Sequence, residues 1–431
     1  MKILGIETSC DETAAAVVSD GEKILSNVVV SQIDIFAEYG GVIPEVAARS
    51  HLEVILPVID KALSDASCSW DDIDAIAVTH APGLLGSLLV GTLAARTLAI
   101  LHNKPLYAVH HLKSHVYANW LGSMNNVQAR SRGASLAPVA TGRARSSSPC
   151  QAPDPLEPGL NHCPSFPLLA LVVSGGHTQI LYMRGHNRFE IIGTTHDDAV
   201  GECFDKVAKI LGLPYPGGPA ISKAAEGEMS MFHSGPRPAS PSPRVAGAHP
   251  RAAALRKSPN QNIDISPDAT RYHFPHPKVE GLDFSFSGLK TAVLRAVQKE
   301  VGVPISYPSH QLKELLSEQQ ICDFVASFQK TAVDILVEKM EMALVKHPDV
   351  KSIVVAGGVS ANNELRKKLE TVFSSSDTIQ KKQFRVFFPE PFLSGDNGAM
   401  VGAAAYFEIQ SGVKPTDPYT LNIYPRISIE G

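Results

Sequence analysis

The sequence predicts an α/β fold made of two halves of similar design, and three observations lead there. Apolar runs of strand length alternate with longer segments of helical spacing, the pattern of sheets covered by helices. A strand–polar turn–strand unit opens the chain at residues 3–7 and 14–18, and a second occurs at 168–173 and 178–183. The recurrence reads as an internal duplication, in which each half contributes one phosphate-facing turn.

The first unit joins its apolar runs through Thr8, Ser9, Cys10, Asp11, Glu12 and Thr13, which suit a hairpin. Pro44 then opens a helix, with Val46, Ala47, Leu52, Ile55, Leu56 and Ile59 near helical spacing. A strand at 74–79, a Pro-Gly break and an apolar helix from about 84 to 101 follow, and the strand at 105–109 leads into a histidine cluster. In the second half, helical patterns over about 311–346 precede a strand at 352–356, a glycine turn and a helix at 363–371. A strand at 384–388 and a small-residue helix from about 397 to 407 complete the pattern.

Two stretches rich in Ala, Ser, Pro, Gly and Arg break it and lack the apolar area to fold alone. The division expected is a first lobe at 1–120, completed by a helix at about 395–410, and a second lobe at 166–228 and 278–394. Low-complexity insertions occupy 121–165 and 229–277. Both insertions are basic, the second through Arg237, Arg244, Arg251, Arg256, Lys257, Arg271 and Lys278. They read as solvated arms, with contact to RNA as the sharper alternative.

An apolar fraction of 44% with 19% charged residues allows a sizeable core, and a net charge of −4 neither favours nor excludes nucleic acid. No apolar run approaches the roughly 20 residues of a membrane span. The Met-Lys start runs directly into a strand, unlike a secretory or mitochondrial leader, so a cytoplasmic protein with no membrane association is expected. Cys10, Cys68, Cys150, Cys163, Cys203 and Cys322 form no Cys-x-x-Cys pair and are expected as free thiols, Cys10 as a small buried residue.

His111 and His115 stand four residues apart, which on a helix places both imidazoles on one face, as two ligands to one metal ion require. A zinc protease of the His-Glu-x-x-His type needs a glutamate after the first histidine, and Leu112 stands there. Asp396, before the small-residue helix, is either an N-cap or a third, hard ligand. Ser174, Gly175, Gly176 and His177 follow an apolar strand, where glycine lets backbone amides approach an anion. The turn after 352–356 carries Gly357 and Gly358, on which adenine or ribose could rest with Asn362 as a hydrogen-bonding partner. The loop 214–219 and the acidic residues Asp197, Asp198, Glu202 and Asp205 are further candidates.

Eight motifs in order carry a resemblance over nearly the whole chain apart from the insertions: residues 6–13, the His111–His115 pair, 173–178, 201–206, 215–218, 284–290, 356–359 and 396–399. Together they resemble the tRNA N6-adenosine threonylcarbamoyltransferase family, of the TsaD type. The resemblance implies an actin-like/Hsp70-like ATPase fold, with two duplicated lobes around a nucleotide cleft. It implies an acyltransferase that moves threonylcarbamoyl from threonylcarbamoyl-AMP to N6 of adenosine 37, in tRNAs reading codons that start with A. It implies one Fe2+ or Zn2+ on His111, His115 and Asp396, and an adenine nucleotide (threonylcarbamoyl-AMP or ATP) on Val172, Val173, Ser174, Gly175, Gly176, Asp205, Gly218 and Asn362. Asp11 is the candidate catalytic contact, against a turn-forming role. The expected partners are tRNA and TsaB-like and TsaE-like subunits. The alternatives are an ATPase or small-molecule kinase on the same fold, a metallopeptidase, and a non-catalytic RNA-binding scaffold.

Overall fold

The computed structural model of the chain describes residues 1–122, 163–229, 265–374 and 383–429. The first half runs β1 (Lys2–Glu7), β2 (Glu12–Ser19), β3 (Lys23–Ser31), α1 (Ile33–Tyr39), α2 (Pro44–Asp65), β4 (Ala75–Ala81), α3 (Leu85–Leu101), β5 (Leu106–His110) and α4 (His111–Tyr117). The second runs β6 (Leu168–Val173), β7 (Thr178–Gly185), β8 (Arg188–Thr194), α5 (Val200–Leu211), α6 (Gly217–Ala225), α7 (Ser287–Val301), α8 (Glu318–Lys346), β9 (Ser352–Ala356), α9 (Asn363–Ser374), β10 (Arg385–Phe387) and α10 (Gly398–Gln410).

The strands form two sheets, ordered β3-β2-β1-β4-β5 and β10-β9-β6-β7-β8. In each, three antiparallel strands are followed by two parallel ones: β1 pairs antiparallel with β2 and parallel with β4, and β6 does the same with β7 and β9. The duplication is therefore present in the topology, and the fold is the two-lobed α/β arrangement expected. β3 and β8, the outer strands of each meander, carry half-exposed alternation that the apolar runs did not reveal. Helix α5 also went unread, although Val200, Cys203, Phe204, Val207, Ile210 and Leu211 recur at helical spacing and are buried.

Helices α2 and α3 cover one face of the first sheet, burying Ile55, Ile59 and Ala62 against Leu4, Ile6 and Val78. The other face meets α10 and α4. That core continues without a break into the second sheet, where Leu168, Ala170, Val172 and Val354 join Ala16, Val18, Met400 and Ala404. The opposite face of the second sheet holds the largest core, with Phe204, Phe284, Phe286, Phe324 and Phe328 beneath α5, α7 and α8.

The second insertion ends earlier than expected. Within 265–277, Tyr272 stacks on Phe324 with ring centroids 3.7 Å apart, and Phe274 is buried. Arg271 pairs with Asp323 at 2.9 Å and with Glu300 at 3.4 Å. A few aromatic residues at the end of a polar stretch are enough to fold it against α8, and Arg271 belongs to that packing and not to a free basic arm. The remaining insertion residues, 123–162 and 230–264, lie outside the described residues, as does Cys150; the other five cysteines are free thiols. No helix among the described residues is long and apolar enough to cross a membrane.

Helix α10 lies unusually close to the first sheet, because glycines stand on both sides. A Cβ at Gly5 would fall 2.2 Å from the Gly398 carbonyl oxygen and 2.6 Å from the Gly402 nitrogen, whereas one at Gly402 would meet the Val18 side chain at 3.1 Å and the Ile3 carbonyl oxygen only at an ordinary contact distance of 3.6 Å. Gly5→Ala is therefore expected to lower stability by about 1–3 kcal/mol, the usual range for overpacking. Gly402→Ala should cost less than half as much. Urea denaturation of the two variants checks the order.

Candidate active site

The two lobes enclose a cleft of about 1690 Å³ whose walls include the turns after β1 and β6, the start of α4, the 214–219 loop, the turn after β9 and the loop before α10. His111 opens α4 directly after β5, and His115 follows one turn later, its side chain only 1% exposed. Their rings meet edge to face with centroids 4.6 Å apart. Asp396 arrives from the other end of the chain. Its Oδ1 lies 3.1 Å from His115 Nε2 and 3.6 Å from His111 Nε2. The N-cap of α10 is Asn397, whose side-chain oxygen accepts from the Met400 amide at 3.0 Å. Asp396 is thereby released from capping and faces the histidines.

These three groups fit a metal ion. Their ligand atoms lie within 4.8 Å of one another, with Asp396 Oδ1 at 3.1 and 3.6 Å from the two histidine nitrogens. Bonds of about 2.1 Å at tetrahedral angles put ligand atoms roughly 3.4 Å apart. His115 Nδ1 has no hydrogen-bond partner among the described residues, and Nε2, though 3.1 Å from Asp396 Oδ1, is not aligned to donate to it, an unusual condition for a buried imidazole. His111 Nδ1 is held by Glu7 Oε2 at 3.2 Å and the Ser9 hydroxyl at 3.1 Å, which turns Nε2 toward Asp396. A carboxylate behind a histidine ligand in this way fixes the tautomer and raises the ligand's basicity. Leu112, in the place of a peptidase's glutamate, packs into the core.

The electrostatics agree. Burial acts to lower the His111 pKa, but Asp396 and then Glu7 outweigh it and lift the imidazole to about 9. Burial acts to raise Asp396, yet His111 and His115 hold it at about 2. Without a metal the site keeps a proton on His111 between two carboxylates, and a dication can take that proton's place. Two neighbouring histidines behave differently. Burial depresses His177 to about 4, with repulsion from His111 and His115 adding to it. Burial likewise depresses His110 to about 3, so both are neutral.

The remaining candidates divide. Asp11, Ser174, Gly175, Gly176, Asp205, Gly218 and Asn362 all line the cleft. At Gly175, Gly176, Gly218 and Gly358 nothing lies within 4 Å of where a Cβ would stand, so these glycines leave room for a ligand. Val172 and Val173 do not line it. Successive residues of β6 point to opposite faces, which sends Val172 into the shared core and Val173 into the second-lobe core. Asn362 reaches the wall, but its amide nitrogen donates to Gln329 Oε1 at 2.8 Å and Ser222 Oγ at 2.9 Å, while its oxygen accepts from the Leu365 amide. It shapes the wall, and its side chain is already engaged. Cys10 lines the cleft instead of lying fully buried.

The place of Glu7 behind His111 and the cleft-lining segment 425–428 were missed in the sequence. A glutamate closing an otherwise apolar strand was the readable signal for Glu7; the C-terminal segment has none. The carboxyl of Asp205 is raised to about 6, chiefly by burial, with Glu202 and Asp11 adding and a bond from the Gly217 amide opposing.

Glu7→Gln is expected to weaken metal binding about 10–100-fold while leaving the three ligands in place. Competition with a chromogenic chelator reads this, and an unchanged affinity contradicts the role given to Glu7 behind His111. If the Asp205 carboxylate accepts ligand hydroxyls, adenine-nucleotide affinity should fall as the pH drops through about 6, where Asp205 gains its proton. Calorimetric titration of adenosine, which shares the nucleotide's hydroxyls but has no phosphate to titrate in this range, follows it between pH 5 and 8, and Asp205→Asn should flatten that profile.

Comparison with known proteins places this geometry in a lineage. The family model described as TsaD, tRNA N6-adenosine threonylcarbamoyltransferase, matches residues 23–130, 156–248 and 248–403. A protein of that name from Symbiobacterium thermophilum is 42% identical over 96% of this chain and 93% of its own length. Those from Dehalococcoides mccartyi and Bacillus cereus are 39% identical over 100% and 99%, and 40% identical over 99% and 96%, of the two chains respectively. The chain belongs to the TsaD family of tRNA N6-adenosine threonylcarbamoyltransferases.

Proposed function

We propose that this acyltransferase moves a threonylcarbamoyl group from threonylcarbamoyl-AMP to N6 of adenosine 37, in tRNAs that read codons starting with A. The observation that carries the reading is the juxtaposition, in one cleft, of a two-histidine, one-carboxylate ligand set with glycine turns that leave space at the wall. Two imidazoles and a carboxylate suit Fe2+ or Zn2+ and leave coordination positions open. When bound, such an ion supplies Lewis acidity and a template for the donor's carbamoyl and phosphate oxygens.

The chain's own residues do the rest. The amides of Gly175 and Gly176 face the anionic donor, the Ser174 amide being held by the His177 carbonyl at 2.8 Å, and the carboxylate of Asp205 accepts from the donor's hydroxyls. The N6 amine attacks the carbamoyl carbon, the bond from that carbon to the phosphate oxygen breaks, and AMP leaves. The proton lost from N6 passes to Asp11, a carboxylate of the first-lobe turn that lines the cleft. For partners, the reading takes tRNA and TsaB-like and TsaE-like subunits in the cytoplasm. Exposed Leu52 and Leu56 on α2, with Leu85, Leu89 and Leu93 on α3, give a TsaB-like subunit an apolar face to cover.

Incubating the metal-loaded protein and its partner subunits with threonylcarbamoyl-AMP and unmodified tRNA should yield N6-threonylcarbamoyladenosine on nucleoside mass spectrometry. Asp11→Asn should lower the single-turnover rate about 100-fold or more without a comparable loss of donor affinity. Absence of the modified nucleoside, with partners that work alongside an authentic family member, overturns the reading.

A further inference from the structure

After α10 the chain turns back along the first lobe. The Thr416 amide donates to the Leu106 carbonyl at 2.7 Å, and the Tyr424 amide to that of His80 at 3.0 Å. His80 Nδ1 returns a bond to the Asn422 carbonyl at 3.2 Å, and the Gly83 amide donates to Pro425 at 3.3 Å. Beyond that point His110 takes over. Its Nδ1 accepts from the Leu112 amide at 3.3 Å, so Nε2 carries the hydrogen and donates to the Ile427 carbonyl at 3.4 Å. Ile429 then sinks into the core shared by the two sheets, 4% exposed. The backbone of Arg426 is therefore fixed on both sides, one residue from an anchor to His110, itself next to the metal ligand His111.

Arg426 is exposed, lines the cleft and makes no ion pair among the described residues. It is the one arginine among the described residues lining the cleft; Lys206, Lys209 and Lys223 stand on the second-lobe wall, on α5 and α6. The metal side of the cleft otherwise gathers carboxylates, with Glu7 and Asp396 on opposite nitrogens of His111 and with Asp11 and Glu12 in the adjoining turn. A single dication there leaves little net attraction for a phosphate, and an anionic ligand needs a further cation placed in advance. A guanidinium matches phosphate oxygens with two parallel hydrogen bonds, which an ammonium cannot.

We propose that the C-terminal segment 422–429 is a strap that holds Arg426 on the metal side of the cleft as the guanidinium that binds a ligand phosphate. The inference rests on the functional reading above for the kind of ligand: the phosphate belongs to the mononucleotide or to the backbone of the tRNA.

The test uses the full, metal-loaded chain with Arg426→Ala and Arg426→Lys, after melting temperature and metal content are shown to match the parent protein. AMP affinity is measured by calorimetry and tRNA affinity by filter binding across salt concentrations. A loss of about ten-fold or more in AMP affinity in Arg426→Ala, only partly recovered by lysine, supports the proposal with the mononucleotide as phosphate source. Normal AMP binding with weakened tRNA binding, and a salt dependence reduced by about one ion, supports it with the RNA backbone as source. Unchanged affinity for both overturns it. So does a loss seen only with threonylcarbamoyl-AMP, since the guanidinium would then be reading the amino-acid carboxylate. AMP binding needs no transfer chemistry, so failure to form modified tRNA would refute the functional reading while leaving this result to stand.

Discussion

Everything at the metal side of the cleft depends on how closely α10 approaches β1 and β2. The Gly5–Gly398–Gly402 contact brings a helix from the far end of the chain against the first strands with almost no side chain between them. That approach sets where the loop before α10 can lie, and so where Asp396 stands relative to α4. Residues separated by nearly three hundred positions in sequence become candidate ligands of one site because backbone meets backbone elsewhere. The capping bond of Asn397 completes the effect, satisfying the helix terminus one residue later and freeing the carboxylate.

The charge arrangement follows from the same placement. Four acidic groups, Glu7, Asp11, Glu12 and Asp396, converge on a small volume in which His111 is the strongest local counter-charge. Burial makes such a group of charges costly unless a cation resides there. Glu12 shows the strain most plainly: burial, and then Asp396 and Asp11, push its carboxyl well above the usual range. The site is built for positive charge, and an anionic ligand there would have to be met by cations the protein adds around it.

The lobes and most of their strands were legible because long apolar runs bounded by polar turns carry their own evidence, and β6 and β9 fall where the runs do. The clustering of His111, His115 and Asp396 into a group that could hold a metal was legible through helical spacing together with one distant aspartate. What could not be read arises from tertiary geometry. That Val172 and Val173 face two cores depends on which strands flank β6. That Asn362 is occupied by Gln329 and Ser222 depends on how α6 and α8 pack. Segment 265–277 looked featureless because its aromatic residues make sense only against α8. The C-terminal strap is held mainly through its backbone carbonyls and amides, which any sequence would offer.

The core that runs unbroken between the two sheets behaves as the spine of a book. Leu168, Val172 and Val354 share it with Ala16, Met400 and Ala404, and α4 contacts β6 and β9 within it. Pages can part at their outer edges while the binding stays closed. His111, His115 and Asp396 sit beside the spine, whereas Asp205, Gly218 and the second-lobe lysines lie out on the page. A movement that opened the cleft about this shared core would change the outer contacts first and leave His111, His115 and Asp396 at their present spacing.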